Sequence, residues 1–250
     1  MNQPKKTIEG CATRGPYGFE MNEGCQICKI KKAGFFCQLS SQAIKDLDFV
    51  KSGSAYPEGA VLFMEKQEPR GVFLLCEGEV KLTISSSEGK TLILRIAKPG
   101  EILGLVSTLS AKPYEVTAET LRPCHVVYIR RVDFVRLVAQ HPEFLQGVVR
   151  QLSSNYQNAC EQLRTVGLSS SAPEKLARML LDWSAGVADK GPAAEIKMPL
   201  THEEIAELIG SSRETVTRTL SEFKSKRLLT LKGSTLMIWN RAALESFVSA

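Results

Sequence analysis

The sequence predicts an α+β protein in which an antiparallel all-β region precedes a long helix and a C-terminal helix-turn-helix domain with a wing. Three observations support this fold class. Short runs of Val, Ile, Leu and Phe recur between glycines at roughly ten-residue intervals. Apolar residues then follow a heptad spacing, and two helix-start motifs flank a single glycine. At 250 residues the chain is long enough for two separate hydrophobic cores.

The all-β region extends from about residue 50 to residue 138. Its runs are separated by a series of glycines: Gly59, Gly71, Gly78, Gly89, Gly100 and Gly104. Residues 80–84 alternate between apolar and polar, residues 85–89 have turn composition, and residues 91–96 form a second apolar run, which together predict a β-hairpin. Short strands at this spacing favour an antiparallel barrel or sandwich.

A long helix is predicted to begin at His141-Pro142, because proline suits the first helical turn. Its apolar positions step alternately by four and three residues: Leu145, Val149, Leu152, Tyr156, Ala159, Leu163 and Val166. A narrow heptad seam of this kind normally pairs with a second helix. We therefore expect a homodimer through this helix, the alternative being that the seam packs against the chain's own β-region. Gly167 and the serines at 169–171 end the heptads and predict a hinge or domain boundary.

Two adjacent helix starts predict a helix-turn-helix. Thr201–Glu204 has the T-x-x-E form of a capping box, and Ser211–Glu214 has the S-x-x-E form. Gly210 separates the two helices, each with one apolar face: Ile205 and Leu208 on the first, and Val216, Leu220 and Phe223 on the second. An amphipathic helix from Pro173 is expected to precede the pair, with Leu176, Leu180 and Trp183 on one face. Residues 228–231 and 235–239 should follow as a two-stranded wing.

The second helix of this pair has a polar outward face, which consists of Arg213, Glu214, Thr217, Arg218 and Ser221. Residues at the N-terminal end of such a helix contact base edges in the major groove. Arginine can bond guanine O6 and N7 together, and glutamate can accept from the cytosine amino group, so this face suits G·C pairs. Six basic residues outnumber two acidic ones between positions 213 and 232, and cations such as Lys232 suit phosphates. The alternative is a solvated charged face with no DNA partner.

The segment Ser212–Arg218 resembles the recognition helix of the Crp/Fnr family of bacterial transcription regulators, and the resemblance extends over nearly the whole chain. It implies that Arg213, Glu214 and Arg218 contact bases, in a palindrome with TGTGA-like half-sites. It also implies that the all-β region is an antiparallel β-roll of the cyclic-nucleotide-binding type, in which Tyr56–Phe63 and Lys98–Gly104 are landmarks. The implied partners are double-stranded DNA, a second copy of the chain and RNA polymerase.

Pattern and resemblance together divide the chain into four segments. We expect a cysteine-containing N-terminal arm at 1–38, a sensory β-roll at 39–140, a dimerisation helix at 141–168 and a winged helix-turn-helix DNA-binding domain at 169–250.

Nucleotide-binding members of the family have a glutamate after the last glycine of the roll and an Arg-Ser pair shortly afterwards, which hold ribose and cyclic phosphate. Here the glutamate position is Leu105, and the Arg-Ser region is Ala111-Lys-Pro-Tyr114. Lys112 offers a point charge on a flexible stem and not a bidentate fork. Cyclic AMP is therefore not the expected effector.

Four of the seven cysteines lie in the arm. Cys25, Cys28 and Cys37, together with Cys124 of the roll, resemble the oxygen-sensing branch of the same family, although the spacing from Cys28 to Cys37 is longer here. The resemblance implies a [4Fe–4S] cluster held by four thiolates and a response to oxygen or redox state. The alternatives are a zinc site from the same thiolates, with or without Cys11, a thiol–disulfide switch, an unknown small-molecule effector in the roll, and cysteines without a function.

Composition and the absence of other motifs narrow the possible classes of function. With 43% hydrophobic and 24% charged residues the chain has globular composition, and its net charge of +5 suits a polyanionic partner. No apolar run approaches the roughly 18 residues of a membrane span, and no signal peptide is recognisable, so a cytoplasmic location without membrane contact is expected. No nucleophile motif, phosphate loop or carboxylate pair is present, so an enzyme is not expected. A ligand-binding or metal-binding module whose helix-turn-helix contacts proteins is the alternative from another class.

Overall fold

The protein's structure is a computed structural model that describes residues 15–19, 39–168, 171–184, 194–198 and 200–248. In this range the N-terminal half contains a 3-10 helix at Pro16–Gly18, eight strands and three short α-helices: α1 (Ser41–Val50), β1 (Lys51–Tyr56), β2 (Val61–Phe63), β3 (Gly71–Glu77), β4 (Val80–Ser85), β5 (Thr91–Ala97), β6 (Ile102–Leu103), α2 (Leu105–Ser110), β7 (Thr117–Thr120), β8 (Cys124–Arg130) and α3 (Arg131–Gln140).

The eight strands form a roll of two four-stranded antiparallel sheets, with strand orders β1-β8-β3-β6 and β2-β7-β4-β5. The predicted hairpin is confirmed, because Val80 of β4 pairs with Ala97 of β5 and Ser85 pairs with Thr91. One hydrophobic cluster fills the interior of the roll, and a second lies between the roll and helices α1, α3 and α4. The strand pattern did not predict helices α1, α2 and α3, which are short and cover the ends and one face of the roll.

The predicted long helix is confirmed as α4 (Pro142–Gly167), with proline in its first turn. One side of α4 packs against the roll through Phe144, Gly147 and Val148. The predicted seam lies on another side of the helix and is largely exposed in the single chain: Leu145 is 48%, Val149 53%, Tyr156 73% and Leu163 72% exposed. The heptad face is therefore only partly covered within the chain, because Leu152 packs against the cluster between the roll and the helices and Val166 is half-buried.

The C-terminal elements are α5 (Ala172–Ser184), β9 (Ala194–Lys197), α6 (His202–Ile209), α7 (Arg213–Ser225), β10 (Leu229–Lys232), β11 (Thr235–Ile238) and α8 (Arg241–Val248). Their shared core contains the apolar faces that the sequence predicted, including Leu176, Ile205, Leu220 and Phe223. The wing is three-stranded and not two-stranded, because β9 pairs with β11. The prediction missed β9 because four residues are too few to show a periodic pattern.

The helix-turn-helix packs directly on the β4–β5 hairpin. Ile93 of β5 belongs to the same hydrophobic cluster as the core of the C-terminal domain. The Lys81 ammonium group lies 3.2 Å from a carboxylate oxygen of Glu119 in the roll and 3.2 Å from one of Glu204 in α6. Apolar contact and a bridging cation thus hold the two parts of the molecule together. Among the described residues, no helix combines the length and hydrophobicity that a membrane span requires.

Candidate nucleic-acid interface

Helix α6 begins with the predicted capping box. The Glu204 amide donates to Thr201 Oγ1 at 3.2 Å, and the Thr201 amide donates to the Glu204 carboxylate at 2.9 Å. The helix ends at Gly210, whose φ of +62° places it in the left-handed region that glycine tolerates best. The turn that follows connects α6 to α7.

The second predicted capping box is wrong. Ser212, and not Ser211, is the N-cap of α7, and its hydroxyl accepts from the Thr215 amide at 3.2 Å. Thr215 therefore occupies the third helical position, where a reciprocal glutamate would have to stand. Glu214 occupies the second position and its side chain is exposed, so its carboxylate is available to a partner outside the chain.

Helix α7 separates a buried face from a polar one. Val216, Thr219, Leu220 and Phe223 are buried against the domain core. The five predicted contact residues are all exposed and fall within little more than two turns of the helix: Arg213, Glu214, Thr217, Arg218 and Ser221. The structure thus brings the predicted set onto one helix with its apolar face anchored.

Glu214 is held in its charged form. A hydrogen bond from its own backbone amide, the Ser212 hydroxyl and the positive charge of Arg213 lower the pKa of its carboxyl group. An ionised carboxylate has acceptors only. At neutral pH Glu214 therefore complements a donor such as the cytosine amino group and would reject an acceptor.

His202 is a residue of this surface that the sequence pattern did not single out. Its Nδ1 lies 2.9 Å from Thr217 Oγ1. The Thr217 hydroxyl already donates its hydrogen to the Arg213 carbonyl oxygen at 2.9 Å, so the imidazole Nδ1–H is the donor and Thr217 accepts. His202 thus connects the start of α6 to the polar face of α7. The motif places a histidine at a helix start, but only the fold reveals a partner fifteen residues later in the chain.

The wing presents Lys232 at the tip of the β10–β11 hairpin, next to Gly233 with a φ of +58°. The Lys232 side chain is exposed. A different basic residue, Lys226, pairs with Glu222 at 2.6 Å, so its charge is partly neutralised within the chain. Lys232 is therefore the better placed of the two for a phosphate.

The cysteine set is only partly described. Cys25, Cys28 and Cys37 lie outside the described residues. Cys124 is fully buried, and its thiol lies 3.1 Å from the Arg122 carbonyl oxygen and 3.4 Å from that of Glu79. Burial raises the pKa of Cys124 to about 11, so the thiol is protonated at neutral pH. A metal or cluster displaces the thiol proton when it binds, so a cluster at this position would replace the two carbonyl contacts of Cys124. Within the described residues, no three Cys, His, Asp or Glu side chains are grouped to hold a metal.

A cavity of about 570 Å³ lies between the β4–β5 hairpin, helix α2, the segment before β7, and α4. Leu105 lines it and is buried, whereas Lys112 is exposed and lies outside its lining. The Tyr114 ring stacks on Phe63 with centroids 4.0 Å apart, and its hydroxyl donates to the Gly71 carbonyl oxygen at 2.7 Å. Tyr114, the last residue of the Ala111–Tyr114 segment, thus forms an aromatic wall of the cavity together with Phe63.

A β-roll connected through a long helix to a winged helix-turn-helix defines a class of DNA-binding regulators with a sensory domain. Residues 54–141 match the family model of the cyclic nucleotide-binding domain, and residues 174–247 match that of the Crp-like helix-turn-helix domain. Together the two segments span more than half of the chain. The chain belongs to the Crp/Fnr family of transcription regulators, whose members bind DNA through this helix-turn-helix and typically act as dimers.

Similarity to individual proteins extends over most of the chain. It is 26% identical over 210 residues to the CRP-like cAMP-activated global transcriptional regulator of Mycobacterium tuberculosis, covering 84% of this chain and 93% of that protein. It is 22% identical over 227 residues to the nitrogen fixation regulation protein FixK of Bradyrhizobium diazoefficiens, covering 90% and 94%. FixK2 from Bradyrhizobium japonicum has the same fold, with a TM-score of 0.70 at 21% identity over 80% of this chain and 98% of that one. Such relatives are regulators and not enzymes, which confirms that expectation.

Proposed function

We propose that the chain is a homodimeric regulator in the cytoplasm that recognises a palindrome with TGTGA-like half-sites and acts on transcription together with RNA polymerase. The observation that carries this proposal is the exposed polar face of α7, fixed by the buried residues Val216, Leu220 and Phe223. A recognition helix needs both properties, because base contacts are specific only when the helix is held rigidly relative to the groove.

The side chains of this face divide the task. Arg213 would bond guanine O6 and N7, and Glu214 would accept from the cytosine amino group. Arg218 would contact a further base, with Thr217 and Ser221 beside it. Lys232 on the wing would contact phosphate and fix the register without reading sequence.

The exposed seam of α4 supports the dimer. Leu145, Val149, Tyr156 and Leu163 form an apolar stripe that a second copy of the helix would bury. Two copies related by a two-fold axis present two recognition helices, and these match half-sites about one helical turn, or roughly 34 Å, apart.

The test is a binding titration with a palindromic TGTGA duplex, followed by fluorescence anisotropy. We expect Arg213→Ala to weaken binding by about 5- to 150-fold, the equivalent of about 1–3 kcal/mol, and to abolish discrimination at one guanine. Glu214→Gln should do the same at a neighbouring pair. Arg150→Ala, an exposed arginine of α4 outside the seam, is the matched control and should leave affinity unchanged. Equal affinity of the wild type for a scrambled duplex, or unchanged affinity of both variants, would contradict base recognition.

For the sensed signal we propose a small molecule in the roll cavity. The support is the cavity itself, which lies against α4 and therefore next to the element that would join the two subunits. The Mycobacterium tuberculosis relative is named as cAMP-activated. In this chain Leu105 stands at the position of the family's glutamate and the segment Ala111–Tyr114 at that of its Arg-Ser pair, so cyclic AMP is not the proposed effector.

An iron–sulfur cluster that senses oxygen or redox state is the second candidate. Phe19 stacks on His125 with ring centroids 6.3 Å apart, which places the described residues 15–19 beside the strand that begins with Cys124. Cys25 follows six residues later, a span of at most about 20 Å. The contacts of the buried Cys124 thiol with the Glu79 and Arg122 carbonyl oxygens oppose this candidate, because a cluster would have to replace them.

Iron, sulfide and zinc analysis of protein purified without oxygen decides between the two. About four irons per chain that Cys124→Ser removes would establish the cluster. Zinc lost in the same variant would establish a structural metal. If the protein contains no metal and still binds the TGTGA duplex, the roll cavity remains the proposed site of the signal.

A further inference from the structure

The lining of the roll cavity is mainly apolar. Of the 22 residues that line its 570 Å³, all but six are aliphatic or tyrosine or phenylalanine; the six are Arg95, Gly104, Ser107, Glu115, Asn155 and Gln162. A volume of this size accommodates a small organic molecule. The few polar groups are too sparse to solvate a charged one.

No cation of the lining is free to meet an anion. Arg95 is the one basic residue among the lining residues, and its guanidinium group is paired with the Glu101 carboxylate. Glu101 also accepts from the Lys98 amide at 2.8 Å, which fixes that carboxylate in place. Glu115 adds a negative charge to the rim. A phosphate in this cavity would lose its hydration and gain repulsion, which is costly in an apolar site.

The cavity is open on the side of the α4 seam. Tyr156, Ala159 and Leu163 line it and also belong to the exposed heptad face. A second α4 packed on that face would therefore form the missing wall. Residues of both subunits would then line each cavity.

We propose that this cavity, whose open side the second α4 of the proposed dimer would close, binds an uncharged, mainly apolar small molecule. The inference rests on the proposed function, because it supplies the ligand class for the sensory site of a dimeric regulator.

The contacts around α4 show how occupancy would reach the DNA-binding domain. Gln162 lines the cavity and donates to the Ile93 carbonyl oxygen at 3.2 Å and to the Leu208 carbonyl oxygen of α6 at 2.6 Å. Val166 also lines the cavity, and a Cβ added to Gly210 would lie 3.0 Å from its Cγ1. A ligand that shifts α4 therefore presses on the turn between α6 and α7.

The probe for this proposal is N-phenyl-1-naphthylamine, a neutral apolar fluorophore, titrated into the full-length protein. We expect saturable binding of about one probe per chain, with no displacement by a large excess of cyclic AMP. Val106→Trp should fill the cavity and weaken probe binding by at least about tenfold. Leu109→Trp is the matched control, because both residues lie on α2 and are similarly exposed, at 40% and 36%, but only Val106 lines the cavity.

The outcomes separate this proposal from the DNA-binding one. Equal probe binding by the two tryptophan variants would place the probe on the exposed seam and overturn the cavity assignment. Displacement by cyclic AMP would overturn the ligand class. Absence of probe binding in a protein that is dimeric by sedimentation and still binds the TGTGA duplex would mean that the partner's α4 fills the space, and would overturn the proposal while leaving the proposed function intact. Probe binding by a protein that does not bind the TGTGA duplex would overturn the proposed function and leave the cavity proposal intact.

Discussion

The DNA-binding face of α7 and the roll cavity are specified by the sequence in different ways. The five predicted contact residues of α7 lie between positions 213 and 221, so one short segment carries the whole face. The cavity draws its lining from Phe63 to Val166, across both sheets of the roll, α2 and α4. A helix face follows from the 3.6-residue period alone, whereas a cavity depends on how distant elements pack. The proposed DNA-recognition surface is thus local, and the proposed small-molecule site is not.

The largest expected effect tests whether the two regions are independent. Phe223 is fully buried and packs on Phe247 with ring centroids 5.0 Å apart. Phe223→Ala should destabilise the C-terminal domain by about 3–5 kcal/mol, because it leaves a cavity beneath α7. Urea unfolding followed by tryptophan fluorescence reports on this domain, since Trp183 and Trp239 both belong to it. DNA binding should fall as the C-terminal domain is destabilised, whereas binding of N-phenyl-1-naphthylamine in the roll cavity should persist. Loss of both would show that the regions fold as one unit; Ser221→Ala is the control for an exposed position.

A smaller loss of stability is expected from removing the N-cap of α7. Ser212→Ala should cost about 0.5–2 kcal/mol of unfolding free energy, because the Thr215 amide loses its acceptor. Ser211→Ala should cost only a few tenths of a kcal/mol, about the usual effect of a surface substitution. If Ser211→Ala lost more unfolding free energy in urea than Ser212→Ala, Ser211 would be the N-cap and the predicted capping box would be correct after all.

The wing provides a test that separates affinity from specificity. Lys232→Ala should weaken binding to TGTGA and scrambled duplexes by the same factor, and should reduce the slope of log affinity against log salt by about 0.9, the value for one phosphate. Lys226→Ala is the comparison, since its ammonium group is already paired with Glu222. A change in base preference for Lys232→Ala would contradict a purely phosphate role.

The smallest expected effect concerns the contact between the two regions. Burial raises the pKa of Glu204, but the Thr201 amide and Lys81 outweigh burial and hold the pKa below its ordinary value of 4.5. Glu204 therefore contributes stability that is fully present above about pH 4.5 and is lost as the pH falls through its lower folded pKa. The difference in unfolding free energy between the wild type and Glu204→Gln should shrink below about pH 4.5. Glu203→Gln, an exposed neighbour, should show no such trend. A difference that persists to lower pH would indicate lost packing in place of lost charge.

Sequence reasoning predicted most of the elements that build the DNA-binding surface. The capping box at Thr201, the glycine turn at Gly210 and the buried face of α7 are all as expected, because each depends on residues within one or two turns of helix. The error at Ser211 has the same local origin. Two consecutive serines offer two caps, and the choice between them depends on where the turn after Gly210 places the chain. His202 was missed because its partner Thr217 lies on the other helix.

The sequence by itself therefore determined the fold class, the α4 helix, the β4–β5 hairpin and the exposed polar face of α7, because hydrophobic period and capping chemistry act over a few residues. Only the tertiary structure decided the third wing strand, the burial of Cys124, the bridge from Lys81 to Glu204 and the apolar cavity against α4. Each of these depends on segments far apart in the chain that meet only when the sheets and helices pack, and no local pattern encodes that distance.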